Sequence, residues 1–180
     1  MELIWWSQAL AEQRLDEIFR GEWMSSAEAI HDGVILRTRG RAAEWQERLQ
    51  VYPAALAADR IERAAETWGG YAPEAVLTVT RSDARLARVQ RMVGDAERIV
   101  QIVFALNRTW EPSLKWIALA VERLEHKPER LPERLDEAFA RDDFLALTEL
   151  ALETVQLAPD GPNVVRARAW LAASADALRR

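Results

Sequence analysis

Residues 82–107 read SDARLARVQRMVGDAERIVQIVFALN, and no other stretch restricts the fold as much. Leu86, Val89, Val93, Ala96, Val100 and Val103 recur at alternating spacings of three and four. That is the period of one helix face, and it predicts a buried stripe on a long central helix. Arg85, Arg88, Arg91 and Arg98 take the other side of its first half. From Ile99 onward the segment is apolar all round, so other helices must surround its C-terminal half. Glycine and proline number seven each and fall mostly between periodic segments rich in Ala, Leu, Arg and Glu. The fold class that follows is all-α, an antiparallel helical bundle in a single domain over 1–180.

Within it, 1–40 holds an N-terminal helix (7–20), a short helical stretch (25–31) and a short strand near 34–38. The strand expectation rests on GVILRTRG, where aliphatic residues stand between glycines. The bundle proper spans 41–180. Helices are expected over 41–50 and 54–68, the second opened by Pro53 as a first-turn proline. VLTVT at 76–80 is ambiguous between strand and helix, and a helix start near Ser82 is preferred. After the central helix, one begins at Pro112, and two or three more follow, at about 132–140, 142–157 and 163–178.

At 180 residues the chain is long enough for one sizeable core. Its formal net charge of -5 argues against nucleic acid as a partner, because phosphate backbones need a basic face. Cysteine is absent, which excludes disulfides and thiolate chemistry. The longest apolar run, IVQIVFAL at 99–106, is far short of the roughly twenty residues that span a bilayer, so no membrane partner is expected. The N-terminus carries an acid where a signal peptide has basic residues, and a cytoplasmic location is the expectation.

The stretch FALNRTWEPSLKW at 104–116 carries the functional question. Lysine occurs only at Lys115 and Lys127 among 24 basic residues. Asn107 stands where a C-cap belongs, and Arg108 suits the negative end of the helix dipole. Lys115, by contrast, falls near the start of the next helix, where a cation is disfavoured by roughly 0.3–1 kcal/mol. An anion held between Arg108, Lys115 and the amides of that N-terminus reverses the sign of this cost. Trp110 and Trp116 then wall the site or stack on a ring. The competing reading pairs Arg108 and Lys115 with Glu111 or another acid and leaves both tryptophans in the core.

The run VFALNRTWEPSLKW resembles a segment, close to L-N-R-x-[YW]-x-P-x-x-K-W, of the helical C-terminal domain of bacterial nucleotidyltransferases in the polymerase-β-like superfamily, relatives of the aminoglycoside nucleotidyltransferases. FRGEW at 19–23, IHDGVILRTRG at 30–40, LQVYPAAL at 49–56 and TRSDARLARVQRMV at 80–93 resemble other segments of that domain in the same order. The similarity covers about 20–125. It implies that Arg108 and Lys115 bind the phosphates of a nucleotide, with Asn107, Trp110 and Trp116 shaping the pocket. The superfamily's catalytic centre is a Gly-Ser pair followed by Asp-x-Asp, whose carboxylates bridge two magnesium ions about 3.5–4 Å apart. Neither motif occurs in this sequence. The resemblance therefore implies a nucleotide- or substrate-binding domain that is not catalytic alone, with no catalytic residue and no cofactor of its own. By the same resemblance, magnesium and ATP would enter through a partner catalytic domain.

Other candidates carry less. His31 and His126, the only histidines, lack metal-ligand spacing. Arg123 and His126 stand too close for the Arg-x4-6-His pattern of helical ribonuclease toxins. Asp142-Asp143 reads as a helix start, where acids cap, and Gly33 as the C-cap of a helix end. Trp5 and Trp6, adjacent among eight tryptophans, cannot both face one helix interior. They either contact a partner or are wrapped by other helices. The alternative function is thus a helical interaction module or homodimer with a vestigial phosphate site.

Overall fold

The computed structural model of the chain describes residues 6–22, 25–35, 41–70, 80 and 85–180, and every regular element among them is helical. In chain order these are α1 (Gln8–Phe19), α2 (Ser25–His31), α3 (Ala42–Leu49), α4 (Ala54–Gly70) and α5 (Arg85–Leu106). A 3-10 turn (Leu114–Trp116) runs into α6 (Ile117–Glu122), and α7 (Leu131–Ala140), α8 (Phe144–Leu157) and α9 (Pro162–Leu178) complete the chain. The fold is the expected all-α bundle. Val34 and Ile35 carry no strand, and the rest of the expected strand at 34–38 lies outside the described residues. Of VLTVT only Thr80 is described, and it is helical; the start expected near Ser82 also lies outside. Pro53 is not inside the helix it introduces: its carbonyl accepts from the Ala57 amide at 3.0 Å, which makes it the cap.

Helices α1, α5 and α7 end on the same motif, in which the two residues beyond the cap donate back to the last turn. In α5 the amides of Arg108 and Thr109 reach Ala105 and Phe104, both at 3.1 Å. In α7 those of Asp142 and Asp143 reach Phe139 and Ala138 at 3.2 and 2.8 Å. The motif needs one left-handed residue, supplied by Gly21 (φ 80°), Arg108 (φ 47°) and Asp142 (φ 53°). Only α1 uses glycine there. Asp143 then caps α8, accepting from the Ala146 amide at 2.9 Å.

Two apolar clusters form. The larger gathers α4 to α9 around Trp68, Ile99, Ile102, Phe104, Leu131 and Leu147. The smaller joins α1, α2, α3 and the start of α4 through Leu15, Ile18, Leu49, Tyr52, Leu56 and Trp110. Helix α4 serves both, with Leu56 and Ala57 on one and Ile61, Ala64, Ala65 and Trp68 on the other. Its Glu62 carboxylate also seats on the N-terminus of α9, accepting from the amides of Asn163 and Val164 at 2.9 and 3.4 Å.

The phase of α5 differs from the expectation. Leu86, Val89 and Val93 are exposed, Leu86 by 74%. The inward row is Met92, Asp95, Ile99 and Ile102. The helix is turned by about one residue, roughly 100°. The physical reason is Asp95, an acid on the inner face whose carboxylate accepts from the buried indole N–H of Trp68 at 2.8 Å. A satisfied buried polar group is stable where an unpaired one is not. The C-terminal half of α5 is enclosed as expected, with Ile99, Ile102, Val103 and Phe104 fully buried.

Candidate functional site

The turn between α5 and α6 separates the predicted site residues into two groups. Asn107 works inside the protein. Its Nδ2 donates to the carbonyls of Val103 (2.8 Å) and His126 (2.9 Å). Its Oδ1 accepts from the amides of Glu125 (3.0 Å) and His126 (2.9 Å). One side chain thus closes α5 and staples the 125–126 segment onto it. Trp110 is also internal. Its ring packs edge-on to Phe19 at 6.0 Å and tilted on Tyr52 at 4.5 Å, and its N–H donates to the Leu49 carbonyl at 2.7 Å. Trp110 belongs to the smaller core and does not wall an open pocket.

Arg108, Lys115 and Trp116 face solvent. Arg108 sits in the left-handed position with no side-chain ion pair or hydrogen bond among the described residues. The Lys115 ammonium lies 6.0 Å from the ring centre of Trp116, the outer limit of a cation–π contact. Pro112 is buried and precedes the helix, which begins at Leu114 after Ser113 in extended conformation. The start moves because the Ser113 amide donates to Glu28 Oε2 of α2 at 3.0 Å, so the anion at this terminus is the protein's own. Glu111, a possible partner for the two cations, instead pairs with Arg60 of α4.

That pair opens onto a feature with no periodic signal in the sequence. A groove of about 280 Å³ runs between α4 and α5 and ends at the Gly21 turn. Arg60, Arg63 and Thr67 line it from α4, and Gly94, Glu97, Arg98 and Gln101 from α5. Arg60 is buried, donates to the Tyr52 hydroxyl at 3.1 Å and pairs with Glu111; burial pulls its affinity for a proton down, and those partners more than restore it. Arg63 pairs with Asp59 and donates to the Arg20 carbonyl at 3.0 Å. Asp95, below the groove, takes two arginines: Arg91 at 3.1 Å and Arg98 at 3.3 Å. Burial pushes the Asp95 carboxyl up from the ordinary carboxylate range, against the pull of Arg91, Trp68 and Arg98. Burial also pulls Arg98 down, against Asp95. Buried charge of this kind shifts because desolvation penalises the ionised form. The signal in the sequence was an acid on the inner row of α5 with arginines three and four residues away.

A second, apolar groove of about 230 Å³ has Trp6, Ile30, Val34, Ile35 and Trp45 in its wall. The Trp45 N–H is buried there without a partner among the described residues. Trp5 lies outside them. Gly33, expected to cap α2, takes no left-handed conformation; Gln46 of α3 instead bonds the carbonyls of Ile30 and Gly33 at 3.1 and 2.5 Å. His31 pairs with Asp32 at 2.6 Å. Among the described residues no three His, Asp or Glu side chains gather into a group that could hold a metal ion, and no helix is long and apolar enough to cross a membrane.

Residues 20–117 match the model of a family described as "Domain of unknown function (DUF4037)". No curated protein and no solved structure matches the chain.

Proposed function

The chain belongs to the DUF4037 family, and on that premise we propose that it is a helical nucleotide- or substrate-binding domain of nucleotidyltransferase type, not catalytic alone. The observation that carries this reading is Arg108. A residue with a Cβ costs about 1–2 kcal/mol in the left-handed conformation that glycine takes freely. Arg108 occupies it with an exposed guanidinium that no acid neutralises among the described residues. Among the described residues the other non-glycine positions of positive φ, Arg130 and Asp142, pair with Glu137 and Arg88. Strained backbone positions cluster at ligand clamps and active sites, and this one, which ends α5, carries an exposed cation.

Lys115 follows across the turn, also exposed. The matched family segment runs to residue 117, so the whole Asn-Arg…Lys-Trp run falls inside it. In this reading Arg108 and Lys115 neutralise phosphate oxygens, which is most of what phosphoryl-type transfer asks of a protein. Trp116 offers a half-exposed ring beside them, and Asn107 fixes the turn. Because Glu28 already holds the Ser113 amide, the clamp is made of side chains and not of backbone amides. Magnesium and the Asp-x-Asp carboxylates come from a partner catalytic domain.

ATP, with and without magnesium, should raise the melting temperature of the wild type, and Arg108→Ala or Lys115→Ala should abolish the rise. An equal rise in all three proteins overturns the site. A second reading has its own support. Leu114 (85% exposed), Trp116 and Leu119 leave large apolar groups in solvent on the 3-10 turn and α6, which suits an interaction module or homodimer. Light scattering then finds a dimer that Trp116→Ala dissociates.

A further inference from the structure

We propose that Arg60 is a positioning residue for the phosphate clamp, and that it works by withdrawing Glu111 from Arg108. The inference rests on the reading of Arg108 as a phosphate-binding residue and adds a condition to it: the acid beside the clamp must be kept occupied. Glu111 is the only acid between Glu97 and Glu122, three residues after Arg108 and four before Lys115. A guanidinium paired with a neighbouring carboxylate has to give up that partner before its fork can take a phosphate. In this fold no described acid lies within ion-pairing range of Arg108.

Arg60 is what engages Glu111. It reaches the turn from α4, 51 residues away in sequence. Its side chain is only 6% exposed, and the Glu111 carboxylate it pairs with is 15% exposed. Nη1 donates to the Tyr52 hydroxyl at 3.1 Å while Nη2 takes Glu111, so one partner aims the guanidinium at the other. The pair draws Glu111 into the protein and leaves Arg108 in solvent. Glu28, a second acid bonded at this turn, is committed as well, through Oε2 to the Ser113 amide.

Holding the turn does not by itself account for a buried ion pair. Asn107 already fastens the turn with four hydrogen bonds, and the Trp110 N–H with a fifth to Leu49. A buried pair is a weak source of net stability, because desolvating two charges offsets their attraction, and apolar residues of similar volume often replace it without loss. Taking one partner away is different: it sets the other charge free to find a new one. For Glu111 the cations nearest in sequence are Arg108 and Lys115, the clamp itself.

The test is calorimetric titration of the whole chain with ATP and magnesium, for wild type, Arg60→Gln, Glu111→Gln and the double variant, each first checked for cooperative melting. Arg60→Gln should bind about five-fold more weakly than the wild type, the factor that an exposed ion pair at its upper value is worth. The double variant should recover the wild-type affinity, because the competing carboxylate is gone, and Glu111→Gln alone should lose none. A purely structural pair predicts the opposite: Glu111→Gln weakens binding, and the double variant binds no better than Arg60→Gln. Either of those results, or unchanged affinity in Arg60→Gln, overturns the proposal while the clamp stands. Should Arg60→Gln fail to fold, Glu111→Gln decides alone, by keeping the wild-type affinity or losing it. No binding by the wild type removes the clamp, and the role of Arg60 with it.

Discussion

Tyr52 shows how single residues set the conditions under which this fold holds. Its hydroxyl is buried beside Arg60, and burial raises its pKa against the pull of that guanidinium. The unfolded chain then releases this proton first, near pH 10, while the folded chain still binds it. Stability should therefore fall as pH rises above about 10, and Tyr52 contributes nothing to the slope at neutral pH. Tyr52→Phe should cost about 1 kcal/mol for the lost hydrogen bond and flatten that alkaline slope. Urea midpoints measured from pH 8 to 11 on both proteins check this; parallel curves would contradict it. The sequence made the capping role of Asn107 legible because capping is local. Its bonds to 125–126 were not, because they depend on where α6 ends, 18 and 19 residues away. Trp110 was ambiguous for the same reason: whether an indole walls a pocket or fills a core is settled by Phe19, Tyr52 and Leu49, all distant in sequence.

At the scale of elements, periodicity located the helices well and their faces less well. Segment α5 carries two apolar rows, and the row at Leu86, Val89 and Val93 is the more hydrophobic, yet it is exposed. The row that turns inward contains Asp95, which only the Trp68 indole and two arginines make tolerable there. Helix α9 is docked by a second long-range contact. Its cap, Gly161, has no side chain to offer, and Glu62 of α4 fills the place so closely that a Cβ on Gly161 would lie 1.8 Å from Oε1. Glu62→Ala should lower unfolding free energy by about 1–2 kcal/mol, the worth of a lost helix cap with a favourable charge on the dipole. Urea denaturation measures this, and a change within 0.3 kcal/mol would be too small for the role assigned to Glu62.

For the whole molecule, the smaller core and the larger one meet along α4, and Arg60, paired with Glu111, ties α4 to the α5–α6 turn. The family segment, 20–117, takes in most of the smaller core together with α5 and that turn. A turn fixed this firmly, by Asn107 on one side and by Trp110 and Glu111 on the other, presents Arg108 at a cost to the fold. If Arg108 is there for a ligand, stability and binding must separate on its replacement by glycine. The direct measurement is an ATP titration, with magnesium, of wild type and Arg108→Gly, following melting temperature. Arg108→Gly should be more stable than the wild type without ligand, by about 0.5–1 kcal/mol, and ATP should stabilise only the wild type. Equal stabilisation of both proteins by ATP, or of neither, would contradict it.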